Sequence, residues 1–262
     1  MSTTLTLQPD ETSGVDNYIT NETDQSANNY GTDTAIDAIL ASTGPRRILL
    51  KFDLSSIEQG SIVQSAVLTL TSRTTYSGAQ VSVHRLTRAW NETESSWNKA
   101  TSEINWTAGG GDFASQAAAT YTPSTVQNGI EHNIDITSLV QEWVSGTANY
   151  GMLVKCSSES GQSVGLPCHS SGASTVGYRP KLVITHQAIV YGISGIAKFS
   201  DNEIATLVRA WRRDTGAWVG DATPNGSTGA YSIITPNTPV DRTIFKTGYR
   251  PLTHGPITPV QQ

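Results

Sequence analysis

From Ser61 to Ser72 the chain reads SIVQSAVLTLTS, apolar residues broken at short intervals by polar ones. Runs of this kind recur: TLTLQ near the start, RRILLKFDL from Arg46 to Leu54, VSVHRL from Val81, then GMLVK, SVGLPCHS and RPKLVITH. Each has the length of a strand, is rich in Val, Ile, Leu and Thr, and is bounded by Gly, Pro, Asn or Ser. That pattern predicts short antiparallel strands joined by turns, and hence an antiparallel β-sandwich or jelly roll. One segment follows another period. In DITSLVQEWVSG, Ile136, Leu139, Val140 and Trp143 fall at i, i+3, i+4 and i+7, one face of a helix of about two turns. Ser138 and Gln141 are placed for a capping box and Gly146 for a left-handed stop. Trp143 is expected to point inward and close one end of the sandwich.

After Gln187 the pattern changes scale. IVYGISGIAKF, ATLVRAWRR, AWVGDA and GAYSIITP alternate apolar and polar residues, with turns at Asp214-Thr215-Gly216 and Asn225-Gly226. The expected division is a sandwich over 1–187 and a small β-domain of four or five strands over 188–262. The final GYRPLTHGPITPVQQ is expected to be extended and irregular, because Pro251, Pro256 and Pro259 oppose helix and central strand alike.

Composition agrees with a folded chain: 37% of the 262 residues are hydrophobic and only 15% charged, the reverse of a disordered balance. The net charge of -5 argues against nucleic acid as a partner. The start, MSTTLTLQPDETSG, has no basic region followed by an apolar one, so no secretory signal is expected. No run is long and apolar enough for a membrane span.

Chemistry is sparse. No Gly-rich phosphate loop and no nucleophile elbow occurs. Carboxylates come in close pairs, Asp33 with Asp37, Glu92 with Glu94 and Asp201 with Glu203, which any chain of this length offers; no catalytic residue and no enzyme is expected. No cofactor is expected either, the one alternative being Ca²⁺ on Asp10, Asp16, Asp33 and Asp37, which lack EF-hand spacing. Cys156 and Cys168 flank a polar turn, which leaves two readings: a disulfide across a hairpin, or two free thiols. Trp90, Trp97 and Trp106, with Glu92 between the first two, also leave two. They form an exposed aromatic platform for a sugar ring, or they pack a long connection onto the sheet, with Glu92 accepting a hydrogen bond from backbone or indole.

Several separated segments carry a resemblance. SGVDNYITNETDQSANNYGTDTAIDAI, RRILLKFDLSSIEQGSIVQSAVLTL, VHRLTRAWNETESSWNKA with GGGDF, NIDITSLVQEWVSGTANYGMLVK and RPKLVITH occur in that order. Together, from Thr3 to His186, they resemble the DNRLRE domain, a β-sandwich of bacterial surface and secreted proteins, some of whose members bind acidic polysaccharides such as alginate. The resemblance places the W-x-E-x-x-x-x-W element on Trp90, Glu92 and Trp97, and implies that they are framework. It implies a carbohydrate-binding role, for which Arg46, Arg47, Lys51, Arg73 and Arg85 are the candidates, being basic and in or beside sandwich strands. SGIAKFSDNEIATLVRAWRRDTGAWVGDATPNGSTGAYSI resembles the small Ig-like or carboxypeptidase-regulatory-like β-domains of tailed-phage structural proteins. That resemblance implies a virion structural protein, made in the host cytoplasm and placed on capsid, neck, tail or baseplate. Its partners are then other virion proteins, further copies of itself as a dimer or trimer, and host surface glycans.

Overall fold

The structure is a computed structural model, and it describes residues 2–188, 191–199, 201–235 and 239–261. Ile189, Val190 and Pro236, which end two of the expected strands, lie outside the described residues. The chain divides into two compact units, Met1–Ala188 and Ile189–Gln262.

The first unit holds strands β1 (Ser2–Leu7), β2 (Val15–Thr20), β3 (Ala35–Ala41), β4 (Gly44–Lys51), β5 (Ile62–Thr71), β6 (Val81–Arg85), β7 (Ala119–Tyr121) and β8 (Glu131–Asp135). Helix α1 (Thr137–Val144) follows, then β9 (Met152–Cys156), β10 (Val164–His169) and β11 (Lys181–Gln187). A four-stranded sheet runs β1-β11-β5-β8; a seven-stranded sheet runs β10-β3-β4-β9-β6-β7, with β2 paired to β4. Every pairing is antiparallel. This is the expected all-β sandwich with one short helix. The inward positions follow the two-residue period: Leu68 and Leu70 of β5, Val81 and Val83 of β6, Met152 and Val154 of β9, and Leu182 and Ile184 of β11 share one buried core. Helix α1 adds Leu139, Val140 and Trp143 to it. The capping box does not form. Asp135 accepts from the Thr137 N–H instead, and Gln141 is drawn away to the Val63 N–H and the Ser61 carbonyl. Gly146 does end the helix, at φ +109°.

The second unit holds β12 (Tyr191–Ile196), β13 (Leu207–Arg212), β14 (Trp218–Ala222), β15 (Ala230–Thr235), β16 (Val240–Phe245), β17 (Leu252–Ile257) and β18 (Val260–Gln261). They form a three-stranded sheet, β15-β12-β18, and a four-stranded sheet, β14-β13-β16-β17. A core of Ile193, Val208, Ala210, Tyr231, Ile233, Val240 and Ile244 is shared between them. The proline-rich end is not irregular, contrary to expectation. Residues Leu252–Ile257 pair with β16, because β17 is an edge strand, where Pro256 need not donate to a second neighbour.

Candidate functional site

The outer face of the seven-stranded sheet is divided between a covered half and an open half. Residues 86–118, between β6 and β7, fold back over it. Beneath them Ile19, Leu49 and Leu153, which point away from the sandwich core, form a second apolar cluster with Leu86, Trp97, Ala100 and Trp106. Trp97 is 9% exposed and Trp106 5%. The Trp106 indole N–H donates to the Ser96 carbonyl at 2.8 Å, and that of Trp90 to the Tyr150 carbonyl at 2.9 Å. These tryptophans pack the loop onto the sheet. Glu92 ties it sideways: its Oε1 accepts the Asp16 N–H at 2.8 Å, while Asn17 and Asn29 donate to the Ser95 carbonyl. Burial pushes the Asp16 and Glu92 carboxyls above the usual range.

The glycine triplet closes the cover. Gly110 has φ +95°, and a Cβ there would lie 2.4 Å from Arg47 Nη1 and 2.8 Å from the Trp97 ring. Only glycine lets the backbone come this near, and the Gly110 carbonyl accepts from Arg47 at 2.6 Å.

Arg47 stands at the border of the two halves. Its guanidinium lies 4.5 Å over Trp97 and 5.5 Å over Phe113, and it makes a two-pronged pair with Glu159 at 2.8 and 2.6 Å. Beyond it opens a groove of about 540 Å³, lined by Arg47, Ser82, His84, Phe113, Thr120, Lys155, Ser157 and Glu159 among others. Strand register builds its floor. Lys155 is paired with Ser82 and Ser82 with Thr120, and Arg47 lies one position from the Ile48↔Val154 pair. A row of Arg, Lys, Ser and Thr therefore crosses β4, β9, β6 and β7 on one face. Lys155 Nζ is 3.5 Å from Glu159. His84 is held below its usual pKa by burial and is neutral at pH 7. Its Nδ1 lies 2.8 Å from the Ala114 carbonyl, which fixes the proton there and leaves Nε2 to accept from Ser82 Oγ at 3.0 Å.

The other sequence candidates do not gather here. Arg46 and Arg73 converge on the fully buried Asp37, at 2.9 and 2.8 Å, and Arg46 also pairs with Glu22 at 2.9 Å. Both are held by these carboxylates, and neither is among the residues that line the groove. Arg85 pairs with Glu142 on α1 at 3.1 Å. Lys51 lines a different cleft, of about 420 Å³, with Ser13, Phe52, Asp53 and Asn149. His84 and Lys155 were missed because they lie far apart in sequence and the register of β6 against β9 joins them, and Glu159 because it sits past the end of β9, four residues after Lys155; the alternation of GMLVK was the available signal for Lys155. As to the calcium alternative, among the described residues no group of three or more His, Cys, Asp or Glu is placed to hold a metal ion. Asp37 is neutralised by two arginines, Asp16 accepts the Ser171 N–H, and Asp10 is turned onto its own loop through Ser13. The disulfide reading is overturned. Cys156 and Cys168 are free and buried, because β9 pairs with β4 and β6 while β10 pairs with β3, so the two strands never form a hairpin. Burial pushes the Cys156 thiol up to about 11, and that of Cys168 upward as well.

Fold and groove together define an all-β sandwich module with an open polar surface on one sheet. The chain belongs to the family of the disaggregatase related repeat domain, whose sequence profile matches residues 16–184. The match is to that family rather than to the DNRLRE domain, and it leaves the second unit outside. No curated protein matches the chain. Among solved structures, β-glucuronidase of Parabacteroides merdae aligns at TM-score 0.23 and 11% identity, over 99% of this chain and 36% of that one. The chain thus spans about a third of that enzyme's length, and the score is too low to define a shared fold.

Proposed function

We propose that the first unit is a non-catalytic module that binds an acidic polysaccharide along the groove of the seven-stranded sheet. The observation that carries this reading is the row of Arg47, Lys155, Ser82 and Thr120 across four adjacent strands. A uronate chain carries a carboxylate on each ring with hydroxyls between. The two cations suit the carboxylates, Arg47 as a planar fork and Lys155 as a point charge, and the Ser, Thr and His84 groups suit the hydroxyls. Glu159 holds both cations in the free protein, so an incoming carboxylate exchanges one partner for another. The groove offers that single carboxylate, whereas glycoside hydrolysis uses two across a cleft. The family, a carbohydrate-binding-like repeat, supports carbohydrate as the ligand class.

Calorimetric titration of the full chain with alginate, polygalacturonate and a neutral glucan tests this. Binding to a uronate polymer is expected, weakening with salt and falling about tenfold or more in Lys155→Ala. Silence with every acidic polymer, or a Lys155→Ala variant that binds as before, rejects it.

A second reading makes the chain a structural component of a tailed-phage virion that contacts host glycans. One feature of the second unit favours it. Ile234 and Val260 flank Gly192 across the three-stranded sheet, and Ile196, Ile234 and Val260 are all more than 60% exposed. An apolar strip of that kind suits assembly with other virion proteins or with further copies of this chain. Mass spectrometry of purified particles tests it; a particle without this chain rejects it.

A further inference from the structure

The second unit presents two tryptophans that the sequence reading passed over. Trp211 on β13 and Trp218 on β14 are cross-strand partners, and Trp218 is 60% exposed. Val208 and Ala210 of β13 point into the core, so alternation turns Arg209 and Trp211 outward. In a regular β14, Trp218 and Asp221 would face opposite sides, being three residues apart. The register prevents this: Ala210 sits against Gly220 and Trp211 against Trp218, which makes Val219 the extra residue of a β-bulge. The bulge returns Trp218 to the face of Asp221. Its indole N–H then donates to Asp221 Oδ1 at 3.1 Å, which fixes the ring without burying it. Asp221 takes two N–H groups of Arg209, each at 2.8 Å, and Arg209 lies 5.6 Å over the Trp211 ring. On the far side of Trp211, its partner Asp241 pairs with Arg213 at 2.9 Å.

This face is aromatic, rich in hydrogen-bonding groups and balanced in charge. Water is a poor neighbour for a fixed indole, whereas the C–H side of a pyranose ring covers it well. The Arg209–Asp221 and Arg213–Asp241 pairs place donors and acceptors beside the rings, where sugar hydroxyls lie, and their charges cancel, so an ionic ligand gains nothing. An aliphatic protein partner would use neither the paired charges nor the fixed indole N–H. We propose that the outer face of the four-stranded sheet, centred on Trp211 and Trp218, binds a neutral polysaccharide. The site is distinct from the groove of the first unit and does not depend on it.

The test is affinity electrophoresis of the full chain in gels containing hydroxyethyl cellulose, xyloglucan or galactomannan, with alginate gels run beside them. At least one neutral polymer is expected to retard the protein, and Trp218→Ala to weaken that retardation about tenfold or more. Trp218→Phe should keep most of it, and Lys155→Ala all of it. Oxidation of accessible indoles by N-bromosuccinimide gives a readout that needs no variant: the retarding polymer should protect Trp218. The proposal falls if no neutral polymer retards the wild-type chain, if folded Trp218→Ala migrates as wild type in every gel, or if the polymer leaves Trp218 open to oxidation. Loss of alginate binding alone, in Lys155→Ala, concerns the groove and not this face.

Discussion

The tryptophans of residues 90–106 and those of residues 211–218 are put to opposite uses. In the first unit they cover a sheet: Trp97 and Trp106 are buried, and the Trp90 and Trp106 N–H groups end on backbone carbonyls. In the second unit Trp218 lies exposed on the face of a sheet, and its N–H ends on a carboxylate. The same side chain is cover in one place and exposed surface in the other. What differs is the chain around it. Residues 86–118 form a long connection with glycines at 109, 110 and 111, free to fold back, whereas Trp218 stands in a strand whose bulge dictates its side.

The largest expected effect lies in the covered region. Trp97→Ala should cost about 3–5 kcal/mol, measured by denaturant unfolding of the first unit; a loss below about 1 kcal/mol would break the contrast. Gly110→Ala comes next. It forces φ +95° on a residue with a Cβ and drives that Cβ against Arg47 and Trp97, costing about 2–3 kcal/mol. Gly216→Ala in the second unit sharpens the point. Gly216 has φ +67° and nothing within 4 Å of an added Cβ, so only the conformational cost of about 1 kcal/mol remains.

Acid should act on two pairs of carboxyls, one in each region, in opposite directions. Burial raises the folded pKa of Asp16 and Glu92. Their contribution is therefore greatest below the ordinary carboxylate range of about 4, and it is lost as pH rises through the raised values. Hydrogen bonds from arginine lower Asp221 and Asp214, so their contribution is present above that range and lost as pH falls through the lowered values. Carboxyl-carbon NMR titration should place the Asp16 and Glu92 midpoints above the usual range and those of Asp221 and Asp214 below it; the reverse order would refute the assignment. The smallest effect is Trp218→Ala, expected to change stability by less than about 0.5 kcal/mol in the same denaturant experiment that shows the loss at Trp97.

Much of the sandwich was legible because its strands keep the two-residue period, from SIVQSAVLTLTS in β5 to RPKLVITH in β11. Helix α1 announced itself through Ile136, Leu139, Val140 and Trp143. The errors have a common physical source, since each needed a partner from elsewhere in the chain. Cys156 and Cys168 read locally as a hairpin, yet β3 and β4 lie between their strands. Arg46 and Arg73 read as free cations, yet both converge on Asp37, one from the neighbouring strand β4 and one from just past the end of β5. The groove is assembled by register from β4, β6, β7 and β9, which no single segment encodes. The Val219 bulge escaped because AWVGDA looks regular, and one uncounted residue sends Trp218 to the other face.

The guanidinium of Arg47 over the Trp97 ring has an optical consequence. Indole emission responds to the electric field across the ring, and Arg47 supplies a fixed positive charge at 4.5 Å. Arg47 also lines the groove, so an anion arriving there alters the field at a chromophore it never touches. Trp97 is in effect a voltmeter wired to the groove. A wavelength shift on adding a uronate polymer, lost in Trp97→Phe, would report occupancy without any label.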